Sequence, residues 1–470
     1  MPDTPLYFYT IAELASLIQS QQVSPVEVTQ ALLERIAQLD GRYKGYATVM
    51  AEPALEAARV AERDIRTGTY RGPLHGIPVA VKDLCCTKGV RTMGGTRALA
   101  DHVPHSDATV VARLHEAGAI LLGKLNLTEG AMGGYHPDFA IPVNPWHAER
   151  YAGASSSGSG VATAAGLCFG SLGSDTGGSI RFPAAACGIV GLKPTWGRVS
   201  RYGVLALAES LDHVGPMTRS TLDAAMMFQA IAGHDPHDPT SLLAPMPDLL
   251  TGIAAGLQDV RLGFDAQYAT QGVDPELADA VVAGVGVLES LGATIVPVQL
   301  PDLAPYLAAW PTLCTAEAVA AHAATYPSRR DEYGPWFRGW LDLGASVSGA
   351  DYARANNLRA ACNGLLRAVW QPIDALVCPA MPTPAFPVTP EGLYGPMPSG
   401  GFSMTRLRFT APYNFNGAPT LTVPCGLSRD GLPLSLQFVG KHLGEPLLCR
   451  IGHAYEQATE WHTLRPPLCD

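Results

Sequence analysis

YAGASSSGSGVATAAGLCFGSLGS, residues 151–174, runs for twenty-four positions without a charge and then breaks into DTGGSIR, residues 175–181. A stretch this rich in glycine and serine either forms a flexible linker or lets a ligand approach bare backbone. Val161, Leu167, Phe169, Leu172, Ile180 and Phe182 are interleaved through it, and such side chains need a core. The stretch therefore reads as a buried loop-and-helix unit that turns hydroxyls and backbone N–H groups toward one site.

Working outward, Gly76-Ile77-Pro78-Val79-Ala80-Val81-Lys82 is a short apolar run bounded by glycine and charge, the pattern of a buried strand. Residues 108–117 read as a helix and Ala119-Ile120-Leu121-Leu122-Gly123 as the next strand. The alternation continues with Val260-Arg261-Leu262-Gly263-Phe264, a helix over 275–291 and Ala293-Thr294-Ile295-Val296-Pro297. Ala375-Leu376-Val377-Cys378 and Thr420-Leu421-Thr422-Val423-Pro424 extend it. Strands alternating with helices imply βαβ units and a parallel or mixed sheet.

The N-terminal segment, 8–70, reads as helices. Thr10-Ile11-Ala12-Glu13 and Ser24-Pro25-Val26-Glu27 are both capping boxes, the second with proline at the first helical position. Val28, Leu32, Ile36 and Leu39 then recur at helical spacing, and 54–65 is a third helical stretch. Pro- and Gly-rich stretches at 234–250 and 379–402 are loops rather than linkers. The expectation is one α/β domain over 1–470.

An apolar fraction of 47% and a charged fraction of 16% describe a chain with a large core. The net charge of −10, with no basic block, argues against nucleic acid as a partner. Residues 151–174 are long enough to span a bilayer but too polar, so no membrane association is expected. Met1-Pro2-Asp3-Thr4-Pro5 lacks the pattern of a secretory leader. Ten scattered cysteines, paired only at Cys85-Cys86, suit reduced thiols and a cytoplasmic location. Cys168 and Cys187 read as small buried hydrophobes.

Known signatures are missing. Gly177-Gly178-Ser179-Ile180-Arg181 fails the nucleophile elbow at its last position. No phosphate-cradling loop appears, and Gly158-Ser159-Gly160 does not extend to a dinucleotide fingerprint. The close pairs His102/His105 and His234/His237 sit among Pro and Asp as surface loops, so neither metal nor cofactor is expected. What remains is Ser179, preceded by Thr176-Gly177-Gly178, whose N–H groups could converge on an oxyanion. Such a serine needs a base, and a lysine serves if burial keeps it neutral. The chain has six lysines, and Lys82, at the end of Ile77-Pro78-Val79-Ala80-Val81, is the one whose neighbours are read as supplying that setting. A lysine closing a strand also has a plainer reading, a solvated side chain.

Residues 153–160 and 173–184 closely resemble the signature of the amidase signature family. Cys187-Gly188-Ile189-Val190-Gly191-Leu192-Lys193-Pro194-Thr195 extends the likeness, and Gly76 to Asp83 is similar to that family's lysine motif. Leu211 to Met217, Asn414 to Pro424 and Gly431 to Gly440 resemble its later segments, so the likeness spans roughly 8–460. The resemblance implies an α/β/α sandwich around a mixed, twisted central β-sheet. It also implies a triad with Ser179 as nucleophile, Ser155, after a cis peptide, as bridge, and Lys82 as base. The backbone N–H groups of Thr176, Gly177, Gly178 and Ser179 would form the oxyanion hole. Ala154 and Ser157 stand where the family commonly has glycine. Asp175, Arg181 and Lys193 are expected as structural supports, and Ser156, Ser157 and Ser159 as hydrogen-bonding loop residues.

Family members that release ammonia from glutamine grip an amino-acid head. Here the acidic residue expected seven positions before Asn414 falls on Leu407, flanked by Arg406 and Arg408. The arginine expected after Tyr333-Gly334-Pro335 falls on Gly339 or Trp340, with Arg338 close by. Both departures argue against a role as the glutamine-hydrolysing part of an amidotransferase. The region 300–405 instead offers Tyr306, Trp310, Tyr326, Tyr333, Trp336, Phe337 and Trp340. With Met132, Gly133 and Tyr135 these would line an apolar substrate pocket, Trp310 and Trp336 foremost. The expected partner is a small hydrophobic or aryl amide, and the resemblance allows a homodimer. A carbamate or ester hydrolase with the same triad, a non-catalytic assembly partner, and a Ser–His–Asp hydrolase using Asp212-His213 or His136 stay open.

Overall fold

Residues 170–175, inside the glycine- and serine-rich stretch, form a strand near the middle of an eleven-stranded sheet in the computed structural model, which describes residues 5–398 and 404–467. Residues 1–4, 468–470 and 399–403, the last within the expected loop 379–402 and region 300–405, lie outside the described residues. The strands are Tyr46–Val49 (β1), Pro78–Lys82 (β2), Ile120–Leu125 (β3), Gly170–Asp175 (β4), Val190–Lys193 (β5) and His213–Thr218 (β6). Arg261–Phe264 (β7), Thr294–Pro297 (β8), Ala375–Pro379 (β9), Thr420–Leu427 (β10) and Pro433–Gly440 (β11) complete them.

Their spatial order is β1-β3-β2-β4-β6-β5-β10-β11-β9-β7-β8. β2 runs parallel to β3 and β4, and β7 parallel to β8 and β9, while β4, β5, β6, β10 and β11 join antiparallel. The architecture is the expected α/β/α sandwich around a mixed sheet. Strands from 46 to 440 share this one sheet.

Two expectations change at this level. The loop-and-helix unit is helical only over Ser157–Ala164; its second half is β4. Glycine allows this, because a Cβ on Gly173 would stand 2.9 Å from Ser156 Oγ and 2.7 Å from Met217 Sδ. The helical segment 8–70 is interrupted by β1, which pairs antiparallel with β3 after Lys44 ends the Pro25–Tyr43 helix in a left-handed conformation. The Thr10–Glu13 capping box is complete. At Ser24 only half of it forms: the hydroxyl accepts from Val26 and Glu27 N–H but donates to Glu62 Oε1 at 2.5 Å, tying this helix to the next.

The helix Ser157–Ala164 is buried along its whole length against β2 and β4. That packing places the end of β2, and so Lys82, beneath the loop that precedes the helix. Cysteines among the described residues are free thiols. Among the same residues no helix is long and apolar enough to cross a membrane.

Candidate active site

Lys82 is fully buried, and its ammonium nitrogen is ringed by three hydroxyls. Nζ lies 2.6 Å from Ser155 Oγ, 3.0 Å from Ser156 Oγ and 2.9 Å from Ser174 Oγ. Among the described residues no carboxylate touches it. Burial therefore pushes its pKa down to about 7, with Cys85, Asp212 and Asp175 pulling weakly the other way. The solvated-lysine reading is excluded. Ser174 had no place in the sequence expectation, and Ser156 does more than brace a loop. Its hydroxyl donates to Ser174 O and accepts from Ser174 N–H, both at 3.1 Å, so toward Lys82 it can only accept.

Ser155 follows a cis peptide from Ala154. Its loop is pinned on both sides. Tyr135 donates to Ser157 Oγ at 2.7 Å, and Ser159 Oγ donates to Leu172 O of β4 at 3.0 Å.

Ser179 sits in a turn organised by the buried Asp175 at the end of β4. The Asp175 carboxylate accepts from Gly178 N–H (2.9 Å), Ile180 N–H (3.0 Å), Asn414 Nδ2 (2.9 Å) and Arg181 Nη2 (2.7 Å) and Nε (3.0 Å). Burial alone would raise its pKa; the Arg181 charge and these bonds outweigh burial and hold the carboxyl well below its usual range. Arg181 also donates to Thr410 O and Asn414 Oδ1, so both charges are satisfied.

The turn's carbonyls are tied outward: Thr176 O accepts from Trp310 Nε1 at 3.0 Å, Gly177 O from Thr410 Oγ1 at 2.6 Å, and Gly178 O from Phe182 N–H. In a trans peptide the N–H opposes the carbonyl. The N–H groups of Gly177 and Ser179, which lie opposite two of these carbonyls, and that of Thr176 have no protein partner among the described residues. Gly178 differs from expectation, since its N–H is taken by Asp175. The Thr176 hydroxyl donates to Asp212 Oδ1 at 2.5 Å, and burial pushes the Asp212 carboxyl up to about 6.

Ser179 is half-buried and opens into a cavity of about 300 Å³. Met132, Gly133, Trp310 and Trp336 line it, together with Tyr151, Phe182, Phe386 and Leu393, to whose place in the wall no motif in the sequence points. Leu407 lines it too. Tyr135 does not: the chain turns at Gly133 (φ 69°), and the phenol comes out against Ser157. It faces a larger, neighbouring cavity of about 420 Å³ that contains neither Ser179 nor Lys82. Trp340 stands behind Trp310 and Trp336, at ring distances of 6.0 and 5.7 Å, and Phe337 and Tyr333 are core.

The histidine alternative finds no geometry. His213 is buried and kept neutral by burial, with Nδ1 at 2.7 Å from Leu211 O and 3.2 Å from Asp175 O. His136 Nδ1 accepts from Asp138 N–H. Neither meets Ser179. Among the described residues, no three His, Cys, Asp or Glu side chains converge to hold a metal ion.

The family profile described as Amidase matches residues 27–449. The protein AmiD of Mycobacterium tuberculosis, classed by name with the amidases, is 46% identical over 458 residues, covering 97% of this chain and 96% of its own. A glutamyl-tRNA(Gln) amidotransferase component of Moorella thermoacetica is 41% identical, over 98% of this chain and 99% of its own. Among solved structures, a bacterial aryl acylamidase of the amidase signature enzymes superposes with a TM-score of 0.88 at 27% identity, covering 98% and 99% of the two chains.

Proposed function

The chain belongs to the amidase signature family of amide-bond hydrolases, and from that premise we propose that it cleaves small hydrophobic or aryl amides through an acyl-enzyme on Ser179. The observation that carries this reading is the fully buried Lys82, 2.6 Å from Ser155 Oγ and free of any carboxylate contact among the described residues. A neutral amine has two N–H groups and one lone pair. Ser156 must accept from it, Ser174 takes the second N–H, and the lone pair is left for the Ser155 hydroxyl.

In this mechanism Ser155 gives its proton to Lys82 Nζ as it takes the proton of Ser179. Ser179 Oγ attacks the amide carbon, and the new oxyanion is met by the N–H groups of Gly177 and Ser179, with Thr176. Lys82 returns the proton through Ser155 to the leaving nitrogen, the C–N bond breaks, and an ester remains on Ser179. Water then attacks that ester by the same relay and releases the acid.

The aromatic wall supports an apolar substrate, since Trp310, Trp336, Phe182 and Phe386 surround the serine. Trp310, Trp336, Phe386, Leu393 and Pro398 all come from 300–398, which supports that stretch as the specificity region of a single domain. A glutaminase reading is disfavoured by Leu407, an aliphatic wall residue at the position where an acid is expected. A matched anilide, aryl carbamate, aryl ester and glutamine assayed side by side test the proposal. The anilide should turn over and glutamine should not. Turnover of the ester or carbamate alone would transfer the site to those substrates, and turnover of glutamine alone would overturn it.

A further inference from the structure

Arg406 is the one charged residue among the described residues that line the Ser179 cavity. Its guanidinium lies 3.9 Å from the centroid of the Phe386 ring, and Phe386 in turn stacks on Tyr151 with ring centroids 4.5 Å apart. An aromatic face holds a guanidinium in place while leaving its N–H edge unused. No carboxylate or carbonyl accepts from Arg406 among the described residues. Its neighbour Arg408 differs, with Nη2 donating to Gln271 O and Tyr268 O. Arg406 is exposed at the mouth of the cavity, with Ser179 in the same wall.

We propose that Arg406 is an anion-recognition subsite, and that the substrate carries a carboxylate at the far end of an apolar or aryl spacer from its scissile amide. The inference rests on the proposal that Ser179 attacks an amide within this cavity. The five guanidinium N–H donors match a carboxylate in two parallel hydrogen bonds, whereas a neutral amide leaves them to water. With no acid among the described residues of the wall, a cationic tail would meet Arg406 unopposed. The substrate class is thus an amide of an aromatic or aliphatic acid whose free carboxylate remains on either the acyl or the amine half.

The test compares kcat/KM at low ionic strength, where a charge at the rim is least screened, for two pairs that differ only by carboxylate against methyl ketone. 4-Acetamidobenzoate and 4-acetamidoacetophenone place the charge on the amine half; succinanilic acid and the anilide of levulinic acid place it on the acyl half. Wild type should favour the carboxylate member of one pair by about tenfold. Arg406→Met should bring that ratio close to unity through KM, and Arg406→Lys should retain part of it. A ratio near unity in wild type, or one that survives Arg406→Met, overturns the subsite while amide cleavage in the ketone-bearing anilides still supports the amidase reading. If no anilide is cleaved, that reading falls. Calorimetric binding of benzoate against acetophenone to wild type and Arg406→Met then decides on Arg406 alone. Tighter benzoate binding that is lost in the variant supports the subsite, and equal binding sinks it.

Discussion

A lysine without a carboxylate partner is costly to bury as a cation, and that cost leaves its amine largely neutral near pH 7. Lys82 is held near a pKa of about 7 by burial, against three neutral hydroxyls. With Lys82 as the proposed base the sign of the pH dependence is fixed: the amine must be neutral to accept a proton, and lowering the pH protonates it. The logarithm of kcat/KM should climb with a slope of about one per pH unit below neutrality and level off above about pH 8. A pH–rate profile on an anilide checks this, and a flat profile from pH 6 to 9 would contradict it. The sequence carried Lys82, Ser155 and Ser179 by resemblance, but it could not carry Ser174 or the Gly178 correction. Whether an N–H points at the site or at Asp175 depends on peptide orientation, which residue type does not encode. Tyr135 misled for a related reason, since two positions along the chain from Gly133 the backbone has already turned away.

At the scale of elements, the site depends on how closely the helix Ser157–Ala164 can approach its neighbours. A Cβ at Gly158 would come within 2.5 Å of Asn126 O and 2.6 Å of Gly45 O, both backbone atoms with little room to yield. Gly158→Ala should therefore lower stability by about 1–3 kcal/mol, read as a shift in the urea unfolding midpoint with an unchanged slope. An unchanged midpoint would show that the helix can slide. The same closeness explains why β4 and β6 escape a reading of the sequence. β2, β3, β7, β8, β9 and β10 are rich in branched apolar residues and announce themselves. β4 offers Leu172 as its only large apolar residue, and β6 contains Gly215 and Pro216, because small residues let Ser156 and neighbouring strands come near. Strands built for close approach lose the pattern by which strands are found.

At the scale of the molecule, segments 46–125, 170–218, 375–440 and 261–297 lie side by side, in that order, in one continuous sheet. Lys82, Ser155 and Ser179 come from the first part, and Trp310, Trp336, Phe386 and Arg406 from the second. We propose that the chain unfolds as a single cooperative unit, with calorimetric and van't Hoff enthalpies that agree; two resolved transitions would contradict one domain. The central claim is that Lys82 activates Ser179 through Ser155, and it is tested most directly by fluorophosphonate labelling of wild type and Lys82→Ala, with the modified residue located by peptide mass spectrometry. The account predicts label on Ser179 in wild type and its loss in the variant. Label on another serine, or equal labelling of Ser179 without Lys82, would contradict it.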